Sequence, residues 1–154
     1  MTIINSQDVL VLAPDAGEQL RFLGASTMNI KSGDADVAFY EYISEPGVEG
    51  PPQHIHHGHD ETFYVVQGHY EFTLGRDVVN LPEGSFLRVP RDTPHTFRNS
   101  GTGPGRIVGT FNPGRFADYF RKLAAIITAT GAPPQRAAWS ELYARYDSEF
   151  FEPC

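Results

Sequence analysis

The sequence predicts an all-β domain, an antiparallel barrel or sandwich, that ends in a pair of helices. Three observations carry this. Short apolar runs with strand-like alternation recur through the first two-thirds of the 154 residues. Turn signals rich in Gly and Pro separate them, and the two residue types together supply 27 positions. No helical pattern interrupts the series, which argues against a parallel sheet with crossover helices.

In order, the candidate strands are Val9–Leu12, Leu20–Leu23, Thr27–Ile30, Val37–Ile43, Gln53–His56, Thr62–Gln67, Tyr70–Leu74, Val78–Leu81, Phe86–Val89, His95–Arg98 and Ile107–Phe111. The punctuation between them includes "EPGVEGPP", "LGRD", "LPEGS", "PRDTP" and "NSGTGPG". On the Val37–Ile43 strand, Tyr40 and Tyr42 share a face that is buried or lines a cavity. After "NPG" the pattern changes. Phe116, Tyr119, Phe120, Leu123 and Ile127 fall on one face of a helix, and "GAPP" at 131–134 ends it. Trp139, Leu142, Tyr143 and Tyr146 repeat the helical spacing. Such stripes ordinarily pack on a core, here the outside of the barrel; a lid over its mouth is the sharper reading. The expected organisation is a barrel over residues 1–113 and a helical extension over 114–154 on the same domain.

Charge and composition narrow the function. The net charge is −7, and the positive residues are scattered, with a loose group at Arg88, Arg91 and Arg98. Nucleic acid and anionic membrane surfaces are therefore not expected as partners. No apolar run approaches the roughly 18 residues of a membrane span, and "MTIINSQDVL" lacks the pattern of a signal peptide. The single cysteine, Cys154, permits no internal disulfide and is a poor candidate nucleophile. A cytoplasmic location is the expectation. "GTGPG" at 101–105 resembles a phosphate loop, but it leads into a strand and reads as a turn.

The chemistry is concentrated in "HIHHGHDETFYVVQG", residues 54–68. Residues two apart on a strand point the same way, so His54 and His56 project together and His57 projects opposite. Gly58 permits a turn. If the two strands pair across that loop, Glu61 comes to the same point. Two imidazoles and a carboxylate suit a borderline first-row metal, Zn, Fe, Mn, Ni or Cu. Cysteines and zinc-finger spacing are lacking, so open coordination positions are expected. Downstream, "GSFLRVPRDTPHTFRN" offers His95 as a fourth ligand. His57, His59 and His69 read as exposed, and Asp60 as part of the turn.

These two stretches resemble the motifs of the cupin superfamily. The first motif runs Gly, five residues, His-x-His, three or four residues, Glu, six residues, Gly. His54, His56, Glu61 and Gly68 match it, while Val48 stands in place of the leading Gly. The second runs Gly, five residues, Pro-x-Gly, two residues, His, three residues, Asn. Gly84, Pro90, His95 and Asn99 match, and Asp92 replaces the middle Gly. The resemblance spans about residues 37–111. It implies a single jelly-roll barrel enclosing one divalent transition metal held by His54, His56, Glu61 and His95. It further implies an enzyme acting on a small molecule, similar to bacterial quercetinase-like dioxygenases, with Glu61 as the catalytic proton acceptor. A non-redox cyclase or isomerase similar to cupin-type polyketide cyclases is the alternative, and a ligand-binding barrel without catalysis is the third. Phe63, Val65, Phe72, Phe97 and Phe111 are the candidate cavity walls, suited to an aromatic or polyketide-like substrate. Arg88 or Arg98 could offset the acidic balance for an anionic substrate. Pairing of cupins through their sheets makes a homodimer an expectation.

Overall fold

In a computed structural model, which describes residues 5–6, 9–34 and 36–152, thirteen strands and two helices are arranged in three antiparallel sheets. The strands are β1 (Asn5–Ser6), β2 (Val9–Leu10), β3 (Glu18–Phe22), β4 (Ser26–Gly33), β5 (Ala38–Ser44), β6 (His54–His56), β7 (Asp60–Gln67), β8 (His69–Leu74), β9 (Asp77–Pro82), β10 (Phe86–Val89), β11 (His95–Asn99), β12 (Gly105–Asn112) and β13 (Ser148–Phe150). The helices are α1 (Ala117–Thr130) and α2 (Arg136–Ala144), with a 3-10 turn over Gly114–Phe116 leading into α1. Strands β1 and β2 pair only with each other. The six-stranded sheet has the order β10-β7-β12-β5-β4-β3, and the five-stranded sheet β13-β6-β11-β8-β9. Cys154 lies outside the described residues.

All eleven sequence-derived strands are present, and the alternation that revealed them is the alternation of burial. On β5 the residues Ala38, Tyr40, Tyr42 and Ser44 are buried, while Phe39 is exposed and Glu41 and Ile43 are half-buried. On β12 the inward row is Gly105, Ile107, Gly109 and Phe111. The two large sheets are locked by rings that cross the space between them. Phe63 on β7 meets Phe72 on β8 edge-on at 4.9 Å between centroids, and Tyr42 on β5 meets Phe97 on β11 at 5.3 Å. Each such pair adds about 0.5–1.5 kcal/mol to the gain from burial.

Gly109 has a specific job in this wall. An added Cβ would lie 2.4 Å from the ring of Tyr40, its neighbour across the β5–β12 ladder. The missing side chain lets the Tyr40 ring lie over β12 and reach inward. After β12 the chain turns helical. α1 stops at Gly131, which takes the left-handed conformation (φ 70°) and returns its N–H to the Ile127 carbonyl. α1 packs on β3 and β4, and the Phe120 ring meets Phe22 of β3 at 5.9 Å. α2 and β13 follow, and β13 pairs with β6 as the edge of the five-stranded sheet. The sequence gives no sign of β13: three residues, "SEF", carry too little pattern to be read as a strand. Tyr146, placed on the second helical stripe, lies beyond the end of α2, yet it is still buried.

No helix among the described residues is long and apolar enough to cross a membrane.

Gly109→Ala should force Tyr40 or the β12 backbone aside. We expect a loss of about 1–3 kcal/mol, the usual range for overpacking a core, read as a lowered urea midpoint. A variant as stable as the wild type would show that Tyr40 is not held by this contact.

Candidate metal centre

Four buried side chains converge between the sheets. His54 and His56 come from β6 and His95 from β11, where His95 lies opposite His54 in the ladder. Glu61 comes from β7 in the facing sheet. One ligating atom of each lies within 4.8 Å of the others. The same four residues were expected together, but not by this route. β6 and β7 do not pair: β6 pairs with β11 and β13, while β7 pairs with β10 and β12. The loop between them crosses from one sheet to the other, so Glu61 faces the histidines across the barrel.

The hydrogen bonds fix which imidazole nitrogen faces the centre. His54 Nδ1 is 2.8 Å from the Pro52 carbonyl, and His95 Nδ1 is 2.9 Å from the Thr93 carbonyl. A carbonyl only accepts, so both nitrogens carry protons. His56 Nδ1 is 2.8 Å from Ser148 Oγ, whose own hydroxyl proton is donated to the Tyr146 carbonyl at 3.0 Å. The serine oxygen is therefore left to accept, and His56 Nδ1 also carries the proton. In neutral rings, all three Nε2 atoms then present lone pairs inward, the tautomer a metal ligand requires.

Those lone pairs meet a carboxylate. Glu61 Oε2 is 3.0 Å from His95 Nε2 and 3.4 Å from His56 Nε2, and the latter nitrogen is buried without a hydrogen-bond partner. Facing acceptors attract only if a positive charge is shared between them, a proton or a metal ion. Three imidazoles and one carboxylate form a donor set that suits a first-row divalent ion, so these residues fit such a metal.

Local electrostatics agree. Burial pushes the His54 imidazole well below the ordinary histidine range, with the His95 and His56 rings adding to the shift. Burial likewise lowers His56. Burial alone would raise the Glu61 carboxyl, but His56 and His95 outweigh it and hold the group well below the usual carboxylate range. Tyr40 donates its hydroxyl proton to Glu61 Oε1 at 3.0 Å, which steers Oε2 toward the histidines. Burial, then the Glu61 charge, raises the Tyr40 phenol well above its normal range, so it stays a donor. Tyr40 was expected on a face that is buried or lines a cavity, and it does line the cavity; its bond to Glu61 reaches across β12 within one sheet, over Gly109, which strand parity does not show.

The centre opens on a cavity of about 240 Å³. Met28, Tyr40, Tyr42 and Phe97 line it from the barrel, and Phe120, Leu123, Ile127, Pro133 and Trp139 from the helical end. The apolar stripe of α1 therefore does more than pack on the outside of the barrel: it walls the cavity. Of the five candidate wall residues, Phe97 lines the cavity. Phe63, Val65, Phe72 and Phe111 do not: they are buried and interlocked with other core side chains. Parity places a residue inside a barrel without saying whether it meets the open or the filled part.

The remaining polar residues divide. His57 is exposed as expected, bonded to Asp92 and, at 3.1 Å, to Glu149. His69 is also exposed. His59 is not. Its ring is buried against His56 (centroids 4.2 Å) and Phe116 (4.4 Å), and burial lowers its pKa to about 3. Its cover comes from the 3-10 turn more than fifty residues later, which local parity cannot anticipate. Asp60 pairs with Arg88 at 2.7 Å and Arg91 at 3.1 Å, and Arg98 with Glu71 at 2.8 Å. Neither Arg88 nor Arg98 lines the cavity to receive an anionic substrate. Asp92, which stands for the motif's middle glycine, adopts φ 66°, and Gly68 adopts φ 86°. Asn99 bonds the Ser44 and Gly103 carbonyls through its amide nitrogen and accepts from the Gly101 N–H, which ties the 101–105 turn to the barrel.

A sequence profile described as "Cupin domain" matches residues 40–111. Polyketide synthase CurC of Streptomyces cyaneus is 31% identical over 109 residues, 69% of this chain and 68% of that protein. The chain belongs to the cupin superfamily. Quercetin 2,3-dioxygenase of Bacillus subtilis (strain 168) is 32% identical over 108 residues, 70% of this chain but only 30% of the larger protein. Among solved structures, an RmlC-like cupin from Shewanella frigidimarina NCIMB 400 superposes with a TM-score of 0.61 at 20% identity, covering 70% of this chain and 93% of that one. That likeness shows the jelly-roll fold.

Proposed function

We propose that this cupin is a metal-dependent enzyme acting on a small aromatic or polyketide-like molecule, with dioxygenase chemistry of the quercetinase type. One observation carries the metal: three imidazoles, each with its Nδ1 proton committed outward, turn their Nε2 atoms toward one buried carboxylate. The apolar cavity beside them supports the substrate class. The sequence likeness to a quercetin dioxygenase supports the reaction type.

When bound, a divalent metal would supply Lewis acidity toward a substrate oxygen and, as Fe, Mn, Ni or Cu, a centre able to engage O₂. The protein's own residues would do the rest. Met28, Phe97, Leu123 and Ile127 hold an apolar ring and exclude water. Glu61 is ionised at neutral pH and accepts the proton of a substrate enol or phenol. Tyr40 keeps its proton and holds the carboxylate in place through Oε1. A redox-neutral cyclase or isomerase would use the same carboxylate and the same cavity, and the likeness to a Streptomyces polyketide synthase component favours keeping that reading as the alternative.

His54→Ala, His56→Ala and His95→Ala should each lose most bound metal in elemental analysis, whereas His57→Ala should retain it. Equal loss from His57→Ala would refute this ligand set. Because the site's own nitrogens must shed protons to bind, affinity should fall on acidification. Burial holds His54 and His56 below the ordinary value of 6.5, so the part of the fall that these two rings contribute should come below that pH in a metal titration.

Turnover of a flavonol should consume O₂ and stop under anaerobic conditions. Full anaerobic turnover of a diketone or polyketide-like phenol, undiminished with Zn, would replace the dioxygenase reading with the Lewis-acid one.

A further inference from the structure

The cupin profile ends at Phe111, yet two of the three histidines are held by residues far beyond it. Ser148 on β13 lies opposite His56 in the β6–β13 ladder and accepts from its Nδ1. The Tyr143 ring of α2 stacks on His54, with centroids 5.6 Å apart and planes 16° from parallel. Further backbone bonds fasten the same segment to β6 and its flanks: His57 N–H donates to the Asp147 carbonyl at 2.7 Å, and Phe151 N–H to the Gln53 carbonyl at 2.9 Å. α2 and β13 also form one packed piece. Phe150 sits edge-on to Trp139 (5.4 Å) and to Tyr143 (4.8 Å), and the Arg136 guanidinium lies 3.6 Å over its ring. Trp139 of that piece lines the cavity.

We infer that Ser148 is a positioning residue of the centre, and that the segment Arg136–Phe150 sets the affinity for the metal through its grip on His56 and His54. This rests on the metal reading above. The physical reason is the tautomer. The Ser148 hydroxyl proton is spent on the Tyr146 carbonyl, so its oxygen stabilises His56 only with Nδ1 protonated and Nε2 free. Without that acceptor a buried imidazole would satisfy its N–H elsewhere, and Glu61 Oε2, 3.4 Å from Nε2, is an acceptor within reach. The ring would then present a proton, not a lone pair, to the metal. The coupling is reciprocal: whatever metal gains from the seated segment, the segment gains from metal.

The test is a zinc titration against a chelating indicator with the full chain, Ser148→Ala and Ser148→Thr. Loss of a group that orients a metal-bound histidine typically costs about 10–100-fold in affinity. We expect that loss in Ser148→Ala and recovery to within a few-fold in Ser148→Thr, which keeps the hydroxyl. Long-range ¹⁵N spectra of the metal-free proteins should show His56 protonated at Nδ1 in the wild type and shifted toward Nε2 in Ser148→Ala. Zinc should also slow amide exchange across residues 148–151 of the wild type, a readout that stands even if Ser148→Ala fails to fold. Wild-type zinc affinity and an unchanged His56 tautomer in a folded Ser148→Ala would overturn the inference, as would exchange across 148–151 that zinc leaves unaltered. Failure of the wild type itself to bind zinc or any other divalent ion would instead overturn the metal reading.

Discussion

Everything at the centre depends on acceptors that face one another. Glu61 Oε2 stands 3.0 Å from an imidazole nitrogen whose partner nitrogen carries its proton and donates it in a hydrogen bond to a backbone carbonyl. In water such a pair would separate. Here both groups are buried and each is held from behind, so the arrangement is stable only with a shared cation. A proton can fill that role and a divalent metal can fill it better, because it is shared by three nitrogens as well as the carboxylate. The competition between the two is why the site's affinity should depend on pH.

The fold holds these groups in place from two directions. The five-stranded sheet supplies the histidines from adjacent strands, and the six-stranded sheet supplies the carboxylate opposite. Aromatic contacts across the barrel fix the distance between the sheets. Gly109 admits the Tyr40 ring, and Tyr40 turns the carboxylate. The residues beyond the barrel then complete both the cavity wall and the support of the ligands. Trp139, Tyr143 and Ser148 sit on one packed segment and touch, in turn, the cavity, His54 and His56.

Ten strands of the two large sheets, together with β2 and both helices, were legible because each alternates or repeats over at least one full period of its pattern. The ligands were legible because strand parity and motif spacing are local quantities. What depended on distant chain was not. His59 is covered by Phe116, the sheet facing of β6 and β7 is set by their partners, and β13 exists because it completes an edge, not because "SEF" favours a strand. The candidate walls Phe63, Val65, Phe72 and Phe111 were rightly placed inward, but the distribution of open space inside a barrel follows from how all its side chains interlock. Val48 and Asp92, at the two motif positions where glycine is missing, leave the ligands undisturbed, and Asp92 reaches the left-handed conformation itself.

The proposed function stands on a metal ion bound by three imidazole nitrogens and one carboxylate. X-ray absorption spectroscopy of the zinc-loaded protein addresses it directly. Such coordination predicts three imidazole scatterers at about 2.0–2.1 Å with at least one oxygen at similar range. A spectrum with fewer than three imidazoles, or one dominated by water oxygens as for an ion on the surface, would contradict it.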